Sequence, residues 1–357
     1  MTDHALTSDE ISPRFVLSVI VPVRNEQASL GACLDSLVRQ SEPGWELGRH
    51  WELLVVDDAS SDDSFAIASG APGVTVLRAP ELDQSVHGGA FTGKNNACWT
   101  GAQAAQGRLL LFTDADTIHE QGSLSRARHE LEKYRVALLS YSPRQLTSGF
   151  WQRVLMPLVF AELAIAYPPH QINDPSSRVA AANGQFLMVE QEDYFAVGGH
   201  RWVGTEVLED VALAGRFKRA RRAIRFRYAG DALSTRMYRT LSDMIAGWTK
   251  NLALLFPRPL AMAAMRLLDL LLFVCLPLLM LSPLFTSLQR ALIFVVWLRV
   301  VWRIYARVAK SHFPVLDCAL SVVGLPLFIV LLVRSYVDVH LRKTVQWKGR
   351  AYRIGRG

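Results

Sequence analysis

The stretch Gly107 to Thr117, GRLLLFTDADT, constrains this chain most. Leu109 to Phe112 form an apolar run with no polar alternation, the pattern of a strand buried on both faces of a parallel sheet. The run stops at Asp114-Ala115-Asp116, so two carboxylates emerge where a buried strand leaves its sheet. In open α/β sheets ligands collect at the carboxyl ends of strands, which makes this the place for chemistry. A bare D-x-D also caps ordinary turns, so its meaning depends on partners elsewhere in the chain.

The preceding segments supply them. Phe15 to Val21 (FVLSVIV) is a β-branched apolar run ended by Pro22, a first strand. Ser29 is placed to cap a helix over Leu30 to Gln40, with Leu30, Cys33, Leu34 and Leu37 on one face. Glu52 to Val56 reads as a second buried strand ending in Asp57-Asp58, Ser61 to Ala68 as a short helix, and Val74 to Leu77 as a third strand. This alternation implies βαβ crossovers and a parallel sheet, whose acidic strand ends at Asp57-Asp58 and Asp114/Asp116 share one edge. His87 to Lys94 reads as a Gly-rich loop leading into a small-residue helix, Asn95 to Ala105.

Further on, Gly122 to Tyr134 reads as a helix, Ala137 to Tyr141 as a strand, and Val179 to Val189 as a strand with a Gly-centred bend. Thr205 to Asp210 opens an amphipathic helix ending near Arg221-Arg222. Its Glu209-Asp210 pair has a plain explanation, because anions favour helix N-termini, and a catalytic one. His170 and His200 lie near turns and read as surface or loop-structuring histidines; His87 falls in the Gly-rich loop, where it is open to substrate.

The chain has 357 residues, is 50% hydrophobic and carries a formal charge of +7. The apolar excess is uneven: it crowds after about Leu252, and basic clusters lie at Arg216 to Arg227 and Arg334 to Arg356. Basic residues flanking apolar segments point to a cytoplasmic membrane face, and no nucleic-acid motif accompanies them. The 4 cysteines, Cys33, Cys98, Cys275 and Cys318, lack metal-ligand spacing and read as buried small hydrophobes in a reducing compartment. The polar N-terminal tail, residues 1–14, lacks the charged-then-apolar pattern of a signal peptide. No G-x-G-x-x-G follows the first strand, which excludes a dinucleotide-binding enzyme.

Together LSVIVPVRNEQASL, ELLVVDDASSDDS, LLLFTDADT and LEDVALAGRFK, in that order and spacing, resemble the family 2 glycosyltransferases. These are inverting enzymes whose GT-A domain is an α/β, Rossmann-like, mostly parallel sheet. GKNNACWTGAQAAQG, RMYRTLSDMIAGWTKN and VQWKGRAY resemble a membrane-associated branch that glycosylates lipids, including carotenoid- and hopanoid-linked substrates.

The resemblance implies a GT-A domain over residues 15–255 and roles for particular residues. Asp57 and Asp58 would address the nucleoside, Pro22 and Glu26 would line the same pocket, and Lys94 would lie near the nucleotide or diphosphate. Asp114 and Asp116 would hold a divalent cation, Mg²⁺ or Mn²⁺, on the diphosphate of a nucleotide sugar, expected to be a UDP-sugar. Asp210 would be the general base and Glu209 its neighbour, positioning it or the acceptor. The family's Gln-x-x-Arg-Trp signature is absent; Trp248-Thr249-Lys250-Asn251 occupies its region, so Lys250 and Arg236 are the candidate substitutes and Trp248 is either a site residue or a core or interfacial aromatic.

A membrane region of two or three apolar helices is expected over residues 256–340, followed by a basic tail over 341–357. Its apolar segments are Leu267 to Leu288, Ala291 to Val308 and Phe313 to Val333, with Arg299 and Arg303 costly unless they snorkel or face protein. Phe150 to Tyr167 contains Arg153, Pro157 and Glu162 and reads as an interfacial or buried helix. The basic tail favours an even number of crossings with both termini and the catalytic domain cytosolic, in a multi-pass protein of the cytoplasmic membrane. The expected acceptor is a hydroxyl or carboxyl of a lipid or other hydrophobic molecule. Alternatives are a polysaccharide synthase, which would usually carry Gln-x-x-Arg-Trp and more spans, and a non-catalytic membrane scaffold.

Overall fold

The apolar runs become a seven-stranded sheet in the computed structural model, which describes residues 13–82, 91–347 and 350–353. In chain order the strands are β1 (Phe15–Val23), β2 (Trp51–Asp57), β3 (Val74–Arg78), β4 (Gly107–Phe112), β5 (Thr117–His119), β6 (Leu138–Ser142), β7 (Arg144–Gln145), β8 (Leu187–Glu190), β9 (Ile224–Tyr228), β10 (Leu233–Thr235), β11 (Thr344–Trp347) and β12 (Arg350–Arg353). The large sheet has the order β3-β2-β1-β4-β8-β6-β9, with β8 antiparallel to both neighbours and every other pair parallel. A small sheet, β5-β10-β7, continues from the end of β4, and β11-β12 is a separate hairpin. The loop around His87, most of the N-terminal tail and the last residues of the basic tail lie outside the described residues.

The opening stretch behaves as its pattern predicts. Leu109 and Leu111 enter a core layer with Leu34, Leu37 and Leu53 on one face of the sheet. Leu110 and Phe112 enter a second layer with Cys98, Leu213 and Phe217 on the other. Both faces are dry, so a strand without polar alternation is the stable choice. Parallel register pairs Val23 with Asp57 and Ile20 with Phe112, which brings the two acidic strand ends out on the same edge. The Leu30–Val38 helix buries Leu30, Cys33, Leu34 and Leu37, the face the spacing indicated.

Three local expectations need correction. Ser29 precedes that helix but makes no side-chain cap; its hydroxyl donates to the Glu26 carboxylate at 3.0 Å. Val179 to Val189 is not one strand, and pairing is confined to Leu187–Glu190. The reason lies in where the backbone amides go: Asn183 N donates to Ser140 Oγ at 2.7 Å and Gly184 N to Asp210 Oδ2 at 2.9 Å, so this stretch serves side chains rather than a ladder. Of the cysteines, Cys33 and Cys98 are buried, whereas Cys275 is exposed and Cys318 half-buried.

After the sheet domain come the helices Leu241–Leu255, Pro259–Met280, Ser287–Val308 and Leu325–Tyr336. Three helical stretches, 150–172, 259–280 and 315–342, are long and apolar enough to cross a membrane. The Pro259–Met280 helix buries only Pro259, Ala263, Arg266 and Asp269, all in its first half, and Ser287–Val308 only Val300, Ile304 and Val308 near its end. Beyond those points the pair exposes Leu271, Val274, Leu278, Leu292 and Val295, an apolar outer surface that water does not favour. At the base Arg307 pairs with Glu162 at 3.0 Å, Arg266 with Asp269 at 3.0 Å, and Arg303 with Asp269, so Arg303 faces protein. The Phe150–Ala166 helix, with Pro157 inside it, buries Val154, Leu155, Leu158 and Val159 beneath this pair.

Candidate active site

The acids converge because the sheet and two helix starts aim at one edge. Where β4 ends, Thr117 N donates to Asp114 O at 3.1 Å, closing a turn that buries Ala115 and leaves Asp114 and Asp116 flanking it, each half-buried. Thr235 Oγ1 of the small sheet donates to Asp116 O at 3.2 Å and fixes the turn from outside. From the next layer the Gly93–Ala104 helix, capped by Thr92, presents Lys94 in its first turn. Lys94 Nζ lies 2.8 Å from Asp114 Oδ1 and 2.8 Å from Glu209 Oε1. One ammonium therefore joins the strand-end acid to the first turn of the Glu209–Arg219 helix.

Asp210 follows Glu209 in that turn. Its Oδ2 accepts from Gly184 N at 2.9 Å and its Oδ1 from Val211 N at 2.8 Å. Burial and the neighbouring Glu209 charge push its carboxyl up to about 6, against the pull of Lys94 and those two amides. Burial also acts on Glu209, but Lys94 outweighs it and holds that carboxyl below the usual range. Burial alone would lower the Lys94 ammonium; Asp114 and Glu209 reverse that and raise it. Lys250 has less compensation, and burial brings it down to about 8 despite Glu209. A carboxyl tuned toward neutrality beside fixed charges is the profile of a general base.

The other expected acidic pair lies at the neighbouring strand end. Asp57 and Asp58 are each 5% exposed, which is costly for carboxylates without partners. Asp57 accepts from Ser60 N at 3.3 Å. Arg24 Nη1 donates to Asp58 O at 2.6 Å, and Arg350 pairs with the Asp58 carboxylate, whose pKa burial nevertheless raises. Pro22 stands opposite Val56 in the register of β1 and β2. Glu26 holds the loop between β1 and the first helix, its backbone N donating to Ser64 Oγ at 2.7 Å.

Two expected residues lie further out. Trp248 is buried edge-on to Phe160 and Tyr238, in the apolar seam under the helices, and Arg236 is exposed just beyond β10. His200 is buried, sharing a 2.9 Å hydrogen bond with Tyr194 Oη, and His170 is exposed; both fit the structural reading. Reading the sequence missed Gly184 and Arg350. A Cβ at Gly184 would stand 2.9 Å from Lys94 Nζ, 3.4 Å from Glu209 Oε1 and 3.7 Å from Asp210 Oδ2. Its only signal was a glycine in an otherwise strand-like run.

Among the described residues no group of three or more His, Cys, Asp or Glu is arranged to hold an ion. Asp114 and Asp116 nevertheless fit a hard cation that takes its remaining oxygens from a diphosphate, and an ammonium already lies on Asp114.

A parallel sheet with one reversed strand, acids at its edge and a small side sheet defines a GT-A glycosyltransferase fold. Residues 18–182 match the model for Glycosyl transferase family 2, so the chain carries a domain of that family and is a glycosyltransferase by class. It is similar to 4,4'-diaponeurosporenoate glycosyltransferase of Staphylococcus aureus strain MRSA252, 24% identical across 95% of this chain and 89% of the relative. The protein of the same name in Staphylococcus haemolyticus strain JCSC1435 is 26% identical across 95% and 88%. Among solved structures, the mannosyltransferase PcManGT from Pyrobaculum calidifontis, in complex with GDP-Man and Mn²⁺, aligns over 92% of this chain and 88% of its own with TM-score 0.53 and 17% identity, which supports the fold.

Proposed function

We propose that this protein is a membrane-bound inverting glycosyltransferase that moves a sugar from a nucleoside diphosphate, expected to be UDP, to a lipid acceptor. The observation that carries this reading is Lys94, which ties the Asp114 strand end to the Glu209-Asp210 helix start at 2.8 Å on each side. That link, joining the Asp114 turn to the Glu209-Asp210 helix start, supports reading them as parts of one site. Asp57 and Asp58 would accept from the nucleoside, with Pro22 and Glu26 shaping the pocket. Asp114 and Asp116 would hold Mg²⁺ or Mn²⁺, which would stabilise charge on the departing diphosphate. Lys94 and Lys250 add positive charge beside it.

Asp210 takes the proton from an acceptor hydroxyl as its oxygen attacks the anomeric carbon. The bond to the diphosphate oxygen breaks with its electron pair, and one displacement inverts the anomeric centre. Glu209 stays ionised on Lys94 and thereby keeps the second carboxyl from ionising early. The name of the staphylococcal relatives contains that of an acid, diaponeurosporenoate. A carboxylate acceptor arrives ionised and needs no base, and the two acceptor chemistries differ in that respect.

The membrane reading rests on Pro259–Met280, long and apolar enough to cross, on the exposed apolar side chains of its neighbour Ser287–Val308, and on chain topology. The stretch 150–172 lies between β7 and β8, both tied into the sheet domain, so it enters and leaves on one side. Pro259–Met280 and Ser287–Val308 form the pair that exposes apolar side chains away from its base and are the segments proposed to enter the bilayer and return. The contact of Arg350 with Asp58 requires residues on either side of that pair to share one face of the membrane. Both termini cytosolic, with an even number of crossings, is the arrangement this supports.

The test is transfer from labelled UDP-sugars, with Mn²⁺ or Mg²⁺, into an organic-extractable product. A labelled polymer insoluble in organic solvent would favour a polysaccharide synthase. No transfer from UDP- or GDP-sugars to any lipid extract, with intact folded protein, would favour a scaffold.

A further inference from the structure

We infer that the hairpin after the membrane helices completes the donor site, with Arg350 as a nucleoside-diphosphate-binding residue; this rests on the nucleotide-sugar reading above. Three separate parts of the chain meet at one point. Asp58 comes from the end of β2, Gly93 opens the Gly93–Ala104 helix, and Arg350 begins β12. A Cβ at Gly93 would stand 2.0 Å from Asp58 Oδ2 and 2.3 Å from Arg350 Nη1, so only glycine allows this approach. Lys94, the next residue, reaches Asp114 and Glu209. Arg350 thus meets Asp58 at the start of the helix whose next residue, Lys94, reaches Asp114 and Glu209.

Charge and geometry favour a ligand-binding role over a mere staple. Asp57, Asp58, Asp114, Asp116, Glu209 and Asp210 all crowd this edge, and an incoming diphosphate adds more negative charge. Lys94 is engaged by two of those acids. Arg24 donates to the backbone carbonyls of Asp58 and Ala59, so it holds the loop. A guanidinium is a planar fork of five donors that suits phosphate as well as carboxylate, so from its place at Asp58 Arg350 can turn toward an incoming diphosphate. Asp58 then orients Arg350. The hairpin lies well past residue 182, where the family match ends, and reaches the cleft only because the helices between return the chain to the sheet. Donor binding is thereby linked physically to the membrane helices.

The experiment is calorimetric titration of UDP and of GDP, with Mn²⁺, into detergent-solubilised full-length protein. Three variants accompany the wild type: Arg350→Ala, Arg350→Lys and a chain ending at Lys343. Arg350→Ala and the shortened chain are expected to bind the preferred nucleotide about ten- to a hundredfold more weakly, the range for a lost charged hydrogen bond. Arg350→Lys is expected to recover part of that loss, and thermal melting checks that each variant is folded. If Arg350→Ala does not fold, the Lys variant must still bind several-fold more weakly than wild type. Unchanged binding overturns the inference, and tighter binding overturns it in favour of a latch over the pocket. If wild-type protein binds neither nucleotide, the nucleotide-sugar reading itself falls, a distinct result.

Discussion

Two clusters of buried charge serve this chain in opposite ways. In the cleft, the single ammonium of Lys94 is shared by Asp114 and Glu209, with Asp210 beside them. In the seam under the helices, each carboxylate meets two guanidiniums: Glu162 faces Arg266 and Arg307, and Asp269 faces Arg266 and Arg303. The under-neutralised cluster keeps a carboxyl raised and draws cations and protons toward it. The over-neutralised one fixes three helices against each other where an unpaired charge would be costly. Burial is common to both, so the balance of charge separates the candidate site from the structural cluster.

Removing the raised carboxyl tests the first half of that contrast and carries the largest expected effect. Asp210→Asn keeps shape and the bond from Gly184 N but cannot take a proton. With a hydroxyl acceptor kcat is expected to fall about 10³-fold, within the span for general-base catalysis, while UDP affinity changes little. Transfer into the organic fraction and UDP titration measure the two quantities. A loss below about tenfold would show that the acceptor arrives ionised, as a carboxylate does.

The seam answers to stability instead. Glu162→Ala leaves Arg266 and Arg307 facing one another without their shared anion, a change worth about 3–5 kcal/mol for a buried pair broken on one side. Thermal unfolding in detergent should register a clear drop in Tm, with UDP binding retained below the transition. A variant that melts like wild type but binds no UDP would invert the assignment of the two clusters.

Gly184→Ala distinguishes position from charge within the cleft. The added methyl would crowd Lys94 Nζ at 2.9 Å, and a flexible side chain gives way at small cost in stability. Displacing Lys94 breaks its span between Asp114 and Glu209, so a fall of roughly tenfold in kcat/KM is expected with Tm nearly unchanged. Equal activity in this variant would mean that the Lys94 bridge is incidental.

What the chain declared openly was its sheet. Leu109 to Phe112 and Leu53 to Val56 are apolar without alternation because both faces are covered, and the acidic ends that follow them share one edge through parallel register. Gly184 was hidden because it runs into the strand-like Phe186 to Val189 while the amides before that run are used by Ser140 and Asp210. Arg350 was hidden more deeply. No local pattern reveals that a basic hairpin following apolar helices will meet a carboxylate 292 positions earlier. Trp248 had two readings in the sequence; packing against Phe160 and Tyr238 gives it a core position, and Lys250, two residues on, feels the charge of the cleft acids.

That last pair leads to the smallest expected effect. Asp210, raised to about 6, is protonated below that pH and cannot act as base, so kcat/KM should rise with pH and level off above it. Lys250, lowered to about 8, loses its charge above that pH, so a shallower decline should follow on the alkaline side. Lys250→Arg keeps the cation at all accessible pH and should abolish only the alkaline limb, changing the plateau about twofold. Asp210→Asn should abolish only the acidic limb in whatever activity remains. An acidic limb that survives Asp210→Asn would assign the titration to the acceptor itself, and an alkaline limb that survives Lys250→Arg would remove Lys250 from the cleft's working charge.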